Sequence, residues 1–252
     1  MTIQELDTLA LPELKKINDR ISYVPASEHP LSADMAVIKG NRHYYIFDTG
    51  SSFENLKLLY SLPDDKQVII SHFHGDHSWW LANHRPGTFG MLEDDEISPV
   101  CALPRFGQIY VSQETCRHVT GCRKDMAAAT QDLPQPFTII QKDPVTIDDG
   151  VHLEIFPLPC THCKGSLMLT VDNEYAFLGD ATYPAEIKGL ACYNAQLLQQ
   201  EIHILEGQAA DKFVLSHDAK YIRPKKAVLR QLQAALDRWD RTGPYIVLSQ
   251  NT

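Results

Sequence analysis

Residues 67–77 limit what this chain can fold into more than any other segment. They join the apolar run Gln67-Val-Ile-Ile-Ser71 to the sequence His72-Phe-His-Gly-Asp-His77. An apolar run of this length is typical of a strand inside a sheet. The histidines are therefore predicted to follow the end of a central strand, where a rigid sheet can direct several side chains to one point.

Four more polar side chains follow predicted strands or lie in the loop after one. Among the eleven histidines of the 252-residue chain, His162 follows a strand in a short loop and His217 ends the run from Lys212. Asp48 ends the second strand of a predicted hairpin, and Asp180 follows Phe177-Leu-Gly. This repeated placement predicts that the groups converge.

Imidazole and carboxylate groups are ligands for zinc and related metals, and catalytic zinc leaves one coordination position for water. His72 and His74 are two residues apart after a strand, so their side chains are expected to point the same way. Together with His162 they are predicted to bind one metal.

A second metal is predicted beside the first. Asp76 and His77 point away from the first pair, and Asp180 and His217 would complete their set. The two carboxylate oxygens of Asp180 would let it bridge both ions. Two metals about 3.5–4 Å apart can share a hydroxide and promote hydrolysis.

The rest of the chain predicts one domain, residues 1–252, of β-rich sheet layers with outer helices. Residues 1–22 are predicted to form an amphipathic helix, with Leu9, Leu11, Leu14 and Ile17 on its apolar face. A helix is also predicted to start near Ser51 or Ser52. Residues 83–107 are predicted to form a long loop.

Composition excludes several classes of protein. The formal charge of -9 disfavours broad binding to nucleic acid or to an anionic membrane. Apolar runs are far shorter than the roughly 20 residues that span a bilayer, and the polar N-terminus does not resemble a secretory signal. We therefore expect a cytoplasmic protein with a small-molecule substrate and neither a nucleic-acid nor a membrane partner. The sequence leaves the oligomeric state open.

Five ordered motifs resemble those of the metallo-β-lactamase-fold hydrolase superfamily. They are Asp48-Thr-Gly, His72-Phe-His-Gly-Asp-His77, His162 with Gly165-Ser166, Phe177-Leu-Gly-Asp180 and Leu215-Ser-His217. The resemblance implies an α/β fold, the four-layer αββα sandwich, and a metal-dependent hydrolase.

The resemblance also implies a role for each motif residue. Metal 1 would bind His72, His74 and His162. Metal 2 would bind Asp76, His77, Asp180 and His217. Asp48 would orient the ligands, a role whose loss costs about 10–100-fold in metal affinity or activity. The two divalent ions are expected to be zinc, with iron or manganese as alternatives.

The segment Asp180-Ala-Thr-Tyr183 is similar to that of N-acyl-homoserine lactonases, which points to a lactonase-like or glyoxalase II-like branch. The resemblance implies that Tyr183 hydrogen-bonds the substrate carbonyl, while Asp76 orients the metal-bound hydroxide. The expected reaction is hydrolysis of a small carbonyl ester: a lactone, a thioester or a related acyl compound.

Two other functions stay open at this point. The His-Gly-Asp-His sequence also resembles that of transfer-RNA 3′-processing enzymes, so a phosphodiesterase or RNA-processing nuclease is one alternative. Trp79 and Trp80 replace the small residues usual after the Asp-His pair. If they close the pocket, the chain would be a non-catalytic metal-binding sensor.

Overall fold

The computed structural model describes residues 6, 8–81, 104–120 and 136–248. Its described part divides into two compact units, each treated by itself below. The first comprises residues 1–141 and 148–151, and the second comprises residues 142–147 and 152–252. The single domain expected from the sequence stays a prediction.

The described residues form strands β1–β18. Their bounds are β1 Lys15–Lys16, β2 Ile21–Val24, β3 Ser27–Glu28, β4 Leu31–Ser32, β5 Met35–Lys39, β6 Tyr44–Phe47, β7 Gln67–Ile69, β8 Gln108–Ser112, β9 Phe137–Ile140, β10 Val145–Asp148, β11 His152–Pro157, β12 Leu167–Val171, β13 Tyr175–Phe177, β14 Ala185–Ile187, β15 Leu190–Asn194, β16 Lys212–Val214, β17 Ile222–Pro224 and β18 Tyr245–Val247. The helices are α1 Phe53–Ser61, α2 Gly75–Ser78, α3 Gln113–Thr120, α4 Ala195–Gly207 and α5 Lys225–Leu236, with a 3-10 turn at Trp79–Leu81.

The first unit contains a seven-stranded sheet in the order β1-β2-β5-β6-β7-β8-β9. Strands β6, β7, β8 and β9 run parallel to one another, and α1 crosses from β6 to β7. The helix begins where the sequence predicts, because the Ser52 side chain accepts a hydrogen bond from the Asn55 N–H. Its buried Leu56 and Leu59 pack against the sheet in the core of this unit.

The second unit contains a six-stranded sheet in the order β10-β11-β12-β13-β16-β17 and a three-stranded sheet, β14-β15-β18. The central strand β12 is buried throughout, Leu167–Val171. Helices α4 and α5 pack their Leu198, Ile202 and Leu232 into one core with Phe213. Strands β13 and β16 are parallel, so their carboxyl ends meet at the same edge.

The helix predicted over residues 1–22 is wrong from residue 9 onward, although the described residues 6 and 8 are helical. Residues 15–16 and 21–24 instead form the hairpin β1–β2. The Asn18 side chain accepts hydrogen bonds from the N–H groups of Arg20 and Ile21, a turn that competes with a helix. Leu11 stays 55% exposed, so the apparent apolar face is not buried as a helical stripe would be.

Most of the predicted loop 83–107 lies outside the described residues, and residues 104–107 within it form neither helix nor strand. In the part of the chain that the structure describes, every helix is too short or too polar to cross a bilayer.

Candidate metal centre

In the first unit the predicted ligands follow two parallel strands. Phe47 at the end of β6 pairs with Ile69 at the end of β7, and the Asp48 N–H donates to the Ile69 carbonyl at 2.9 Å. Asp48 and the residues after Ile70 therefore meet at one sheet edge. This explains how Asp48, 24 positions before His72 along the chain, reaches the segment that carries the histidines.

His72 and His74 present ring nitrogens to each other, as the sequence predicts. His72 Nε2 lies 2.9 Å from His74 Nδ1. The opposite nitrogen of His72, Nδ1, lies 2.9 Å from the Ser71 hydroxyl oxygen. Ser71 thereby fixes the ring orientation that turns Nε2 toward His74.

Asp48 orients His77 through a buried contact of 2.7 Å between its Oδ2 and His77 Nδ1. Ser71 donates its N–H to Asp48 Oδ1 at 2.7 Å and its hydroxyl to Oδ2 at 2.8 Å. Burial raises the pKa of Asp48, and the contacts with His77 and Ser71 oppose that rise. Asp48 has a φ of 61°, a left-handed conformation that side chains seldom adopt and that clusters at functional sites.

Asp76 and His77 lie together in α2. Asp76 Oδ2 is 3.5 Å from His77 Nε2, and both side chains are almost fully buried. The His77 carbonyl accepts a hydrogen bond from the Thr49 N–H at 2.7 Å. The segment after Asp48 thus also holds the second pair of predicted ligands in place.

In the second unit the ligands come from three separate segments. β13 and β16 are parallel, and the Leu178 N–H donates to the Val214 carbonyl at 3.0 Å. This pairing brings Asp180 and His217 to one edge. Asp180 Oδ2 lies 3.9 Å from His217 Nε2 and 3.4 Å from His162 Nε2.

The donor set fits divalent metal ions. Two ligands each about 2.0–2.1 Å from a tetrahedral zinc ion lie about 3.3 Å apart. The Asp76–His77 and His162–Asp180 contacts, at 3.5 and 3.4 Å, are close to that separation. Each unit therefore presents imidazole and carboxylate groups at spacings that suit a divalent ion.

Tyr183 has a hydrogen-bond partner that the sequence did not indicate. Its hydroxyl donates to the Ser216 carbonyl at 2.7 Å, and its ring lies 6.5 Å from the His162 ring. The hydroxyl would have to leave Ser216 to bind a substrate carbonyl. Its oxyanion role stays a prediction.

Trp79 and Trp80 belong to the core of the first unit. Their exposed fractions are 4% and 3%, and Trp80 Nε1 donates to the Ser52 carbonyl at 3.0 Å. The Trp80 ring lies 5.8 Å from the Phe53 ring. These contacts are those of residues that pack in the core.

Sequence reasoning missed two supporting residues, Ser71 and Tyr193. Ser71 directly precedes His72, and that position between a strand and a ligand was the available signal. The Tyr193 hydroxyl donates to the Thr182 carbonyl at 2.7 Å, two residues beyond Asp180. No local pattern marks this contact between distant segments.

A protein-family model covers a segment of the chain that includes Asp48 and residues 72–77. Residues 30–84 match the sequence model of the Metallo-beta-lactamase superfamily. No curated protein sequence matches the chain.

Three solved structures show the fold. The flavodiiron protein from Giardia intestinalis matches with a TM-score of 0.59 at 11% identity, covering 92% of this chain and 60% of that chain. A stereoselective inverting sec-alkylsulfatase from Pseudomonas sp. matches at 0.55 and 16%, covering 89% and 41%. A metallo-beta-lactamase from Pontibacter korlensis matches at 0.54 and 16%, covering 88% and 98%.

This chain therefore spans less than two thirds of the first two proteins. The resemblance to the superfamily is confirmed, as is the α/β fold class that it implied. The chain therefore has the metallo-β-lactamase fold, and residues 30–84, which contain the second motif, are similar to the sequence model of the superfamily.

Proposed function

We propose that this protein is a metal-dependent hydrolase that cleaves a small carbonyl ester: a lactone, a thioester or a related acyl compound. It would use two divalent ions, zinc in the first instance. His72, His74 and His162 would hold one ion, and Asp76, His77, Asp180 and His217 would hold the other. The superfamily match supports the enzyme class at the level of the superfamily.

The observation that carries the proposal is the position of one oxygen atom. Asp180 Oδ2 faces Nε2 of His162 and Nε2 of His217, at 3.4 and 3.9 Å. These two histidines are assigned to different ions. A carboxylate placed between them supports the role of Asp180 as a bridging ligand.

Two bound ions would supply Lewis acidity, lowering the pKa of water and polarising a carbonyl. The protein's own residues prepare the site. Ser71 and Asp48 hold the rings of His72 and His77 in fixed orientations. Asp76, 10% exposed at its side chain, would accept a hydrogen bond from the attacking water and orient it toward the substrate.

Contacts in the second unit weaken the case for an RNA-processing function. Arg223 pairs with Asp218 at 2.8 Å, and Lys225 Nζ donates to the Glu206 and Gln208 carbonyls. Residues 223–230 contain four cations that are the candidate contacts for RNA, and two of them are thus engaged within the protein. The other two are Lys226 and Arg230.

The test is elemental analysis of the purified protein followed by a substrate panel. The panel holds lactones, thioesters, β-lactams and phosphodiesters, with a secondary alkyl sulfate added because of the sulfatase neighbour. We expect two divalent ions per chain and turnover of a lactone or thioester. Protein without metal, or turnover confined to phosphodiesters or sulfates, would contradict the proposal.

A paired variant ties activity to the ligands. His72→Ala combined with His74→Ala should lower kcat/KM at least about 100-fold, because both substitutions remove ligands of one ion. His203→Ala, an exposed histidine on α4, is the matched control and should leave kcat/KM unchanged. Intact activity in the double variant would exclude the assigned centre.

A further inference from the structure

Two tyrosine hydroxyls in the second unit donate to main-chain carbonyls beside the predicted ligands. Tyr183 donates to the Ser216 carbonyl, which directly precedes His217, at 2.7 Å. Tyr193 donates to the Thr182 carbonyl at 2.7 Å. We propose that Tyr183 and Tyr193 are positioning residues that hold Asp180 and His217 in the geometry needed to bind one ion, an inference that rests on the proposed function.

Tyr183 links the two ligand segments directly. Its N–H donates to the Asp180 carbonyl at 2.9 Å, which closes a turn from Asp180 to Tyr183. Its hydroxyl reaches Ser216 on the other segment. One residue therefore joins the segment of Asp180 to the segment of His217.

His217 needs such support because of its backbone conformation. Its φ is 57°, in the left-handed region that non-glycine residues seldom occupy unless the surroundings impose it. The Ser216 N–H donates to the Gly179 carbonyl at 3.2 Å, while the Ser216 carbonyl accepts from Tyr183. The peptide groups before His217 are thus held from both sides.

Tyr193 extends the same support to the third ligand. It lies at the end of β15, where the next residue, Asn194, donates its N–H to the Thr161 hydroxyl at 3.0 Å. Thr161 directly precedes His162. The end of β15 therefore contacts both the segment after Asp180 and the loop of His162.

The test compares Tyr183→Phe and Tyr193→Phe with Tyr110→Phe. Tyr110 is the matched control because its hydroxyl also makes one hydrogen bond, to the Gln67 side chain at 3.0 Å, in the first unit. Zinc affinity is measured by competition with a chelator. We expect the affinity for one of the two ions to fall about 3–10-fold in the first two variants, the other ion to be retained, and Tyr110→Phe to match wild type.

Hydrogen–deuterium exchange on metal-free protein gives a second readout that does not depend on activity. Exchange at residues 215–218 should increase in Tyr183→Phe and stay unchanged in Tyr110→Phe. Wild-type zinc affinity with a lowered kcat in Tyr183→Phe would overturn the positioning role in favour of direct substrate contact. If wild-type protein binds no metal, the proposed function fails, and unchanged exchange at 215–218 would overturn the tyrosine contacts as well.

Discussion

The two units bury carboxylates in opposite ways. In the first unit, Asp48 and Asp149 each accept hydrogen bonds from several donors. In the second, Glu201 on α4 is fully buried, and neither of its oxygens has a hydrogen-bond partner within the described residues. Burial alone therefore does not decide whether a carboxylate stabilises this fold. The number of donors aimed at it does.

Asp149 and Glu201 show the contrast in their proton affinities. Burial alone would raise the pKa of Asp149, but hydrogen bonds from His43, Arg42 and Tyr45 outweigh it and lower that pKa to about 2. Burial raises the pKa of Glu201 well above its ordinary value. Asp149 is therefore expected to be charged at neutral pH, whereas Glu201 tends to keep its proton.

The largest effect on stability is expected at Asp149. Asp149→Asn should lower the free energy of unfolding by about 2–3 kcal/mol at pH 7, because hydrogen bonds to a charged acceptor contribute about 1.5–3 kcal/mol. The stabilisation should be present above the ordinary pKa of 3.8 and be lost as pH falls toward about 2. Urea titrations at pH 7 and pH 3 measure both.

The exposed Asp143 provides the control, since Asp143→Asn should change stability by less than about 0.5 kcal/mol. If Asp149→Asn were equally harmless, the donors around Asp149 would not account for its burial.

Asp48 is expected to affect metal binding more than folding. In Asp48→Asn the amide keeps the shape of the carboxylate but replaces one acceptor oxygen with a donor, which cannot accept from Ser71 or orient His77. Metal affinity should fall about 10–100-fold, a larger loss than in Tyr183→Phe. Chelator competition on both variants measures the ratio, and circular dichroism checks folding. Equal losses would remove the distinction between direct side-chain support in the first unit and main-chain support in the second.

Local sequence patterns were enough to predict the ligand-bearing segments. His72 and His217 follow strands that the apolar runs reveal, and the parallel pairs β6–β7 and β13–β16 then align those strand ends.

The supporting contacts could not be predicted from local patterns because they join segments that are distant along the chain. Asp149 lies 107 residues from Arg42, and Tyr183 lies 33 residues from Ser216. The N-terminal hairpin was missed because an Asn18 turn overrides a helical spacing of leucines.

The smallest effect, opposite in sign to the first, is expected at Glu201. The carboxyl group lies near Cys160 and Tyr193. Burial raises the pKa of the Cys160 thiol to about 11, and a negative charge on Glu201 adds to that rise. Glu201→Met removes a buried polar group without a partner and should increase the free energy of unfolding by about 1–2 kcal/mol at pH 7. Glu206→Met, at an exposed position on the same helix, is the control and should give no comparable gain.

The pH dependence of that gain identifies its cause. The unfolded chain releases the Glu201 proton near the ordinary pKa of 4.5, whereas the folded protein retains it to higher pH. The folded state therefore binds more protons, so this group's stabilisation is full below about pH 4.5 and declines as pH rises through the folded pKa. The advantage of Glu201→Met over wild type should grow between pH 5 and pH 8, to an extent set by about 1.4 kcal/mol per pKa unit. A gain independent of pH would mean that improved packing, and not removal of an ionisable group, stabilises the second unit.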